Sequence, residues 1–328
     1  PALTGLYAKG DLHLTVADGA LILNEAVTQT GEGDTRLSSG KGQLLNADVA
    51  AAGDLTFTAT TGDITAISAS QLTSDGNLSA TATEGGVSLV QNSRAQATGN
   101  LALKGGTTVS LTDASAEAGA DLTLTGENGN VTLASSQATG ADDVTVNAGQ
   151  NIILPDASTL TATNGALKAT ATNGNLDLNG HSAASAATTL DLKAGNQVSL
   201  TDASVEAGAN LTLTGENGNV TLANSQATGA DDVTVSAGEN ITLSGASRLT
   251  ATNGALKATA TNGNLSLNGN SAASAATTLD LKAGNQVSLS NATAQSGDDM
   301  SVTADDGDVL LTNSRAASEG AQTVSAGG

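Results

Sequence analysis

Two stretches of 89 residues, Lys104–Leu192 and Lys193–Leu281, differ at only 14 aligned positions, and a third copy opens at Lys282. The run Asp-Leu-Lys-Ala-Gly-Asn-Gln-Val-Ser-Leu at Asp191–Leu200 recurs at Asp280–Leu289. Repetition at a fixed period is the mark of a stacked architecture, in which each unit leans only on its neighbours. A smaller period lies inside the larger one. Leu122, Val144, Leu167 and Leu190 are spaced 22, 23 and 23 residues apart, the step to Leu211 is 21, and the cycle resumes through Val233, Leu256, Leu279 and Met300. Each 89-residue repeat is therefore four coils of 21–23 residues. No linker or shift of composition interrupts the pattern. The reading is one continuous domain over residues 1–328, with divergent coils in 1–103, repeats at 104–192 and 193–281, and a partial repeat at 282–328. The chain opens at Pro1 without an initiator methionine, and Gln322-Thr-Val-Ser-Ala-Gly matches Val144-Thr-Val-Asn-Ala-Gly, so a fragment of a longer protein is expected.

Within a coil the apolar residues alternate. Leu122 and Leu124 are separated by Thr123, and Val131 and Leu133 by Thr132, the period of two that marks a half-buried strand. Ser136 and a stretch of small residues then lead to the next coil. The template recurs as Val144/Val146 with Ile152/Leu154 and Ser158, as Leu167/Ala169 with Leu176/Leu178 and Ser182, and as Leu190/Leu192 with Val198/Leu200 and Ser204. Upstream it continues with drift, through Ser70, Ser93 and Ser115. Residues 34–53 fit least well, with Leu37, Leu44 and Val49 as anchors, and the whole chain reads as about 14 coils. Exchanges between copies respect the alternation: Ile153 becomes Thr242 and Asp177 becomes Ser266, both at outward positions, and no inward Leu, Val or Ile differs.

Three architectures compete. The Asn-Gly pairs at Asn128, Asn173, Asn217 and Asn262 are a hairpin signal. A period of 89 residues also suits a string of immunoglobulin-like sandwiches. Neither explains why the inner pattern repeats four times in equivalent places. A parallel β-helix does, because each residue then stacks on its counterpart one coil away at about 4.8 Å. Asn and Gly would serve it as turn residues with left-handed backbone. The sequence thus predicts an all-β parallel β-helix, a solenoid. Its core must be thin, since Tyr7 and Phe57 are the only aromatic residues.

The net charge of −21 repels nucleic acid and anionic lipid, which makes both poor partners; no nucleic acid is expected, nor membrane insertion by this segment, since no apolar run is long enough to span a bilayer. With no cysteine, disulfide and thiolate chemistry are absent. Departures from repetition, where an active site would sit, are few. His13 and His181 are the only histidines, and His181 is replaced by Asn270 in the next copy, as suits a tolerant turn. The pairs Asp142-Asp143 and Asp231-Asp232 lie four coils apart, about 19 Å, too far for two to cooperate. The densest acidic cluster, Asp298, Asp299, Asp305, Asp306 and Asp308, is the best calcium candidate. No catalytic residue, cofactor or required metal is expected.

The coil text, Ala-Asp-Leu-Thr-Leu-Thr-Gly-Glu-Asn-Gly-Asn-Val-Thr-Leu at Ala120–Leu133 and Ser-Ala-Gly-Glu-Asn-Ile-Thr-Leu at Ser236–Leu243, resembles the filamentous hemagglutinin repeats of two-partner-secreted exoproteins. Those proteins include adhesins and contact-dependent growth inhibition effectors of Gram-negative bacteria. The resemblance implies a right-handed β-helical filament, extracellular and on the bacterial cell surface. It further implies a stalk that projects a receptor-binding or toxin-bearing region. The implied partners are the rest of the parent exoprotein, an outer-membrane transporter during export, and a target-cell or matrix receptor met through other regions. The alternative is an adhesive module whose side face binds a glycan or protein directly.

Overall fold

A computed structural model describes residues 5–327. Among them are 44 short strands and no helix, and in chain order the strands recur in a cycle of three, about 15 times. The chain divides into two compact units, Pro1–Gly165 and Ala166–Gly328. Each unit is a β-solenoid of three parallel sheets, so the predicted fold class holds, with one coil more than the spacing suggests.

Sheet A carries the five-residue strands. In the first unit these stack in chain order from Leu12–Val16 to Val144–Ala148, and in the second from Leu167–Ala171 to Gln322–Ala326. Sheet B runs from Leu21–Leu23 to Ile152–Leu154 in the first unit and from Leu176–Asn179 to Val309–Thr312 in the second. Sheet C runs from Leu6–Ala8 to Thr159–Ala162 and from Ala183–Ala186 to Arg315–Ser318. Pairing is parallel and in register: Leu101, Leu122 and Val144 form one column and Val109, Val131 and Ile152 another. This pairing excludes both the hairpin meander and the sandwich string.

Alternation in the sequence becomes burial in the fold. Leu122, Leu124, Val131 and Leu133 are each 0% exposed, while Thr123, Thr125 and Thr132 between them are half-exposed. The small-residue stretch after Ser136 is itself a strand, Gln137–Gly140, and so is its counterpart in every coil. Its inward residues are mostly Ala and Gly. Against outward Thr and Ser they give almost no contrast in hydrophobicity, which hides the third strand from a reading of the sequence.

Four details of the sequence reading are corrected. Leu44 points outward, and the inward residues of its strand are Gln43 and Leu45. Ser115 and Ser204 are outward strand residues; the buried column that contains Ser93, Ser136 and Ser225 is occupied in their coils by Ala114 and Ala203. Inward positions do differ between copies, since Ala116 becomes Val205 and Gly105 becomes Ala194, all of them buried. Finally, the Asn-Gly pairs carry no left-handed residue. Their glycines are required by close approach instead: a Cβ on Gly129 would lie 2.7 Å from Thr107 O of the coil before it. Asn128 Nδ2 donates to Gly106 O (2.8 Å), and Asn217 Nδ2 to Gly195 O (2.8 Å), so these side chains tie one coil to the next.

Candidate functional site

Asp232 and Asp299, the second members of their pairs, have a structural task. Along the corner that leads into sheet A, a side-chain oxygen of one coil accepts the backbone N–H of the next. In the first unit Asn77 N–H donates to Asp54 Oδ1 (2.8 Å), Asn100 N–H to Asn77 Oδ1 (2.9 Å), and Asp143 N–H to Asp121 Oδ1 (3.1 Å). In the second unit Asp232 N–H donates to Asn210 Oδ1 (3.1 Å), Ala255 N–H to Asp232 Oδ1 (2.8 Å) and Ala321 N–H to Asp299 Oδ1 (2.8 Å). A second ladder of this kind lines the corner into sheet B, where Asn151 N–H and Nδ2 both donate to Asn130 Oδ1 (3.0 and 3.1 Å). Asn240 repeats the arrangement on Asn219 Oδ1 (3.0 Å for each donor). Asp142, Asp231 and Asp298, the first members of the pairs, are exposed.

The five-aspartate cluster is split by a strand. Asp298 and Asp299 precede Met300–Ala304, and Asp305, Asp306 and Asp308 follow it, about 17 Å away along the chain. Asp305 is further engaged by Lys282 (3.1 Å). Among the described residues, no group of three or more His, Cys, Asp or Glu side chains is placed to hold a metal ion. His13 lies exposed on Leu12–Val16. His181 and its replacement Asn270 both have φ of 68°, so this position is a left-handed corner.

The outer face of sheet A repeats its ion pairs with the sequence. Lys104 contacts Glu127 (2.6 Å), Lys193 contacts Glu216 (2.6 Å), and Lys282 takes Asp305 in the third copy. All are exposed enough to add little stability. Burial pushes the Asp177 carboxyl above its ordinary pKa. Burial also raises Asp191, against the downward pull of Lys168 and Lys193.

One feature recurs with the repeat and has the shape of a binding surface. The corner between sheets B and C contains either one or two residues before the buried column. Two-residue corners include Gln91-Asn92, Gly180-His181 and Gly269-Asn270, all left-handed; single left-handed residues turn the corner at Asp113, Ser135, Asp202, Asn224, Asn291 and Asn313. Where a two-residue corner is followed by single ones, the wall steps back and leaves a notch. In the first unit the notch of about 320 Å³ is bordered by Asn92, Asp113, Ser115, Ser135 and Gln137. In the second unit one of about 330 Å³ is bordered by His181, Asp202, Ser204, Asn224 and Gln226. Another in that unit, about 450 Å³, is bordered by Asn270, Asn291, Thr293, Asn313 and Arg315. These residues are counterparts at the 89-residue spacing. The notches are absent from the sequence reading, although a signal was there. Each follows the drop from coils of 23 residues to one of 21.

Residues 195–288 match the hemagglutinin repeat family. That match and the β-solenoid are consistent with filamentous hemagglutinin-type repeats. No curated protein and no solved structure matches it.

The matched hemagglutinin repeats span one full 89-residue period, including the notch at Asp202 and Asn224. What this surface offers is hydrogen bonding. Carboxamides, a hydroxyl, a carboxylate and the His181 imidazole face solvent, and no Phe, Tyr or Trp lies among them. In the notch that follows, Asn291 stands in place of Asp202 and Arg315 in place of Gln226, so the notch recurs while its local charge moves from negative to positive.

Proposed function

We propose that this chain is a non-catalytic stalk within a large exoprotein exported to the bacterial cell surface, holding a receptor-binding or toxin-bearing region away from the cell. Its partners in this reading are the rest of that exoprotein, the outer-membrane transporter that exports it, and a target-cell or matrix receptor met by other regions. The observation that carries the reading is repetition without a catalytic departure. Coil after coil keeps the same columns, Asp121 and Asp232 are tied into corner ladders, and Lys104–Glu127 and Lys193–Glu216 form ion pairs at the repeat spacing. The family supports this, since hemagglutinin repeats are generally non-catalytic. Within each unit the backbone of one coil bonds to the coils beside it, leaving no lateral strand edge for unwanted pairing.

The adhesive reading has one observation in its favour, the recurrence of the polar notches. A variant that strips them separates the two. Asp113→Gly, Ser135→Gly, Asp202→Gly, Asn224→Gly, Asn291→Gly and Asn313→Gly together remove these side chains from all three notches and keep left-handed corners available. On the stalk reading, the parent protein carrying this variant binds its target as the wild type does. If binding is lost while the melting temperature is unchanged, the notches are the adhesive surface and the stalk reading fails.

A further inference from the structure

One coil of the first unit gathers three polar residues at inward positions of two adjoining strands. Thr35, Ser39 and Gln43 stand at inward positions, 0%, 4% and 3% exposed. The coils on either side fill those columns with Leu12 and Leu55, Val16 and Ala59, and Leu21 and Ile64. Gln43 turns its amide back over the preceding strand. Its Nε2 donates to Leu37 O (2.8 Å) and to Thr58 O of the next coil (2.8 Å). Two carbonyl acceptors fix the amide's orientation, since a flipped amide would set oxygen against oxygen. The consequence is that Gln43 Oε1, an acceptor, is buried without a partner, and so is the Ser39 hydroxyl. These residues face inward on either side of one corner, Gly40–Gly42, and Gln43 is anchored on the strand that carries Ser39. Buried polar atoms in native cores are almost always satisfied, and a buried water with two or more polar partners is the usual means. Thr35 Oγ1 is also unpartnered, but it lies at the far end of the same strand, about 13 Å from Ser39, and belongs to a different corner.

We propose that this corner is an internal hydration site. One ordered water is held inside the solenoid, donating a hydrogen bond to Gln43 Oε1 and bonding Ser39 Oγ. The site satisfies two of the three polar inward residues in the stretch where the sequence pattern is weakest. It is independent of the stalk reading, because no surface group takes part.

Oxygen-17 magnetic relaxation dispersion counts waters that stay bound for longer than nanoseconds, and it can be run on the whole chain. The comparison is between wild type and Ser39→Ala/Gln43→Ile, which gives this coil the inward residues of the next one. The double variant should lose one long-lived water, while Thr35→Leu should leave the count unchanged. An equal count in wild type and the double variant overturns the proposal. Should the double variant not fold, a crystal structure of the wild type decides. A solvent peak within hydrogen-bonding distance of both Ser39 Oγ and Gln43 Oε1 supports the site, and its absence overturns it.

Discussion

Neighbouring residues on one strand of this solenoid live in opposite environments. Leu213 is 0% exposed and stacks between Leu192 and Val235, whereas Thr212 beside it faces outward. Leu213→Asp therefore buries an unpaired charge in a thin core and should cost more than about 4 kcal/mol, read as a collapse of the thermal transition. Thr212→Asp should cost well under half as much. Comparable losses would mean the register is wrong. A second contrast lies in the aspartate pairs. Asp232→Ala removes the acceptor of the Ala255 N–H and should cost about 1 kcal/mol, while Asp231→Ala should fall within about 0.5 kcal/mol of wild type by chemical denaturation.

Asp177 offers a test of sign. Its carboxyl is raised above 3.8 by burial, so the native state binds protons more tightly than the unfolded chain in the window just above that value. Stability from this group is therefore greatest below the window and declines as pH rises through it. The next copy carries Ser266 in the same place. Asp177→Ser should raise the melting temperature at neutral pH, and the gain should vanish near about pH 3, below the ordinary range of a carboxyl. A gain that grows on acidification would contradict the assignment.

At the scale of elements, the corner between sheets B and C changes length from coil to coil. His181 sits at φ of 68°, which Asn and Gly accept and a β-branched residue resists. His181→Asn should be neutral, as Asn270 implies, and His181→Val should cost about 1–2 kcal/mol by thermal melting. Sheets A and B were legible in the sequence because Leu, Val and Ile alternate there with Thr and Ser. Sheet C was not, because its inward Ala116, Ala138 and Ala184 differ little in hydrophobicity from the residues around them. Leu44 misled for the opposite reason: Leu44-Leu45 supplies two apolar neighbours, and the buried polar Gln43 removes the cue that would choose between them. The notches followed from coil length, a signal of spacing that residue type alone does not carry. The acidic cluster looked dense because Asp298 to Asp308 are near in sequence, and an intervening strand spends that nearness.

At the scale of the molecule, the account rests on coils being interchangeable. The repeat supplies an internal control, because Leu192 is followed by Lys193 in one copy and Leu281 by Lys282 in the next. Deleting residues 193–281 joins Leu192 to Lys282 within the second unit and returns the chain to an identical Lys-Ala-Gly-Asn-Gln continuation, with every inward column in register. Chelation belongs to this scale too. Treatment with a calcium chelator should leave the melting temperature unchanged, and a drop reversed by calcium would give the Asp298–Asp308 residues a structural role. The most direct measurement places the deletion variant in the exoprotein proposed above and follows target binding alongside thermal unfolding. The account predicts a cooperative transition close to that of the wild type and continued engagement of the target. A shortened chain that stays folded but no longer binds would contradict it.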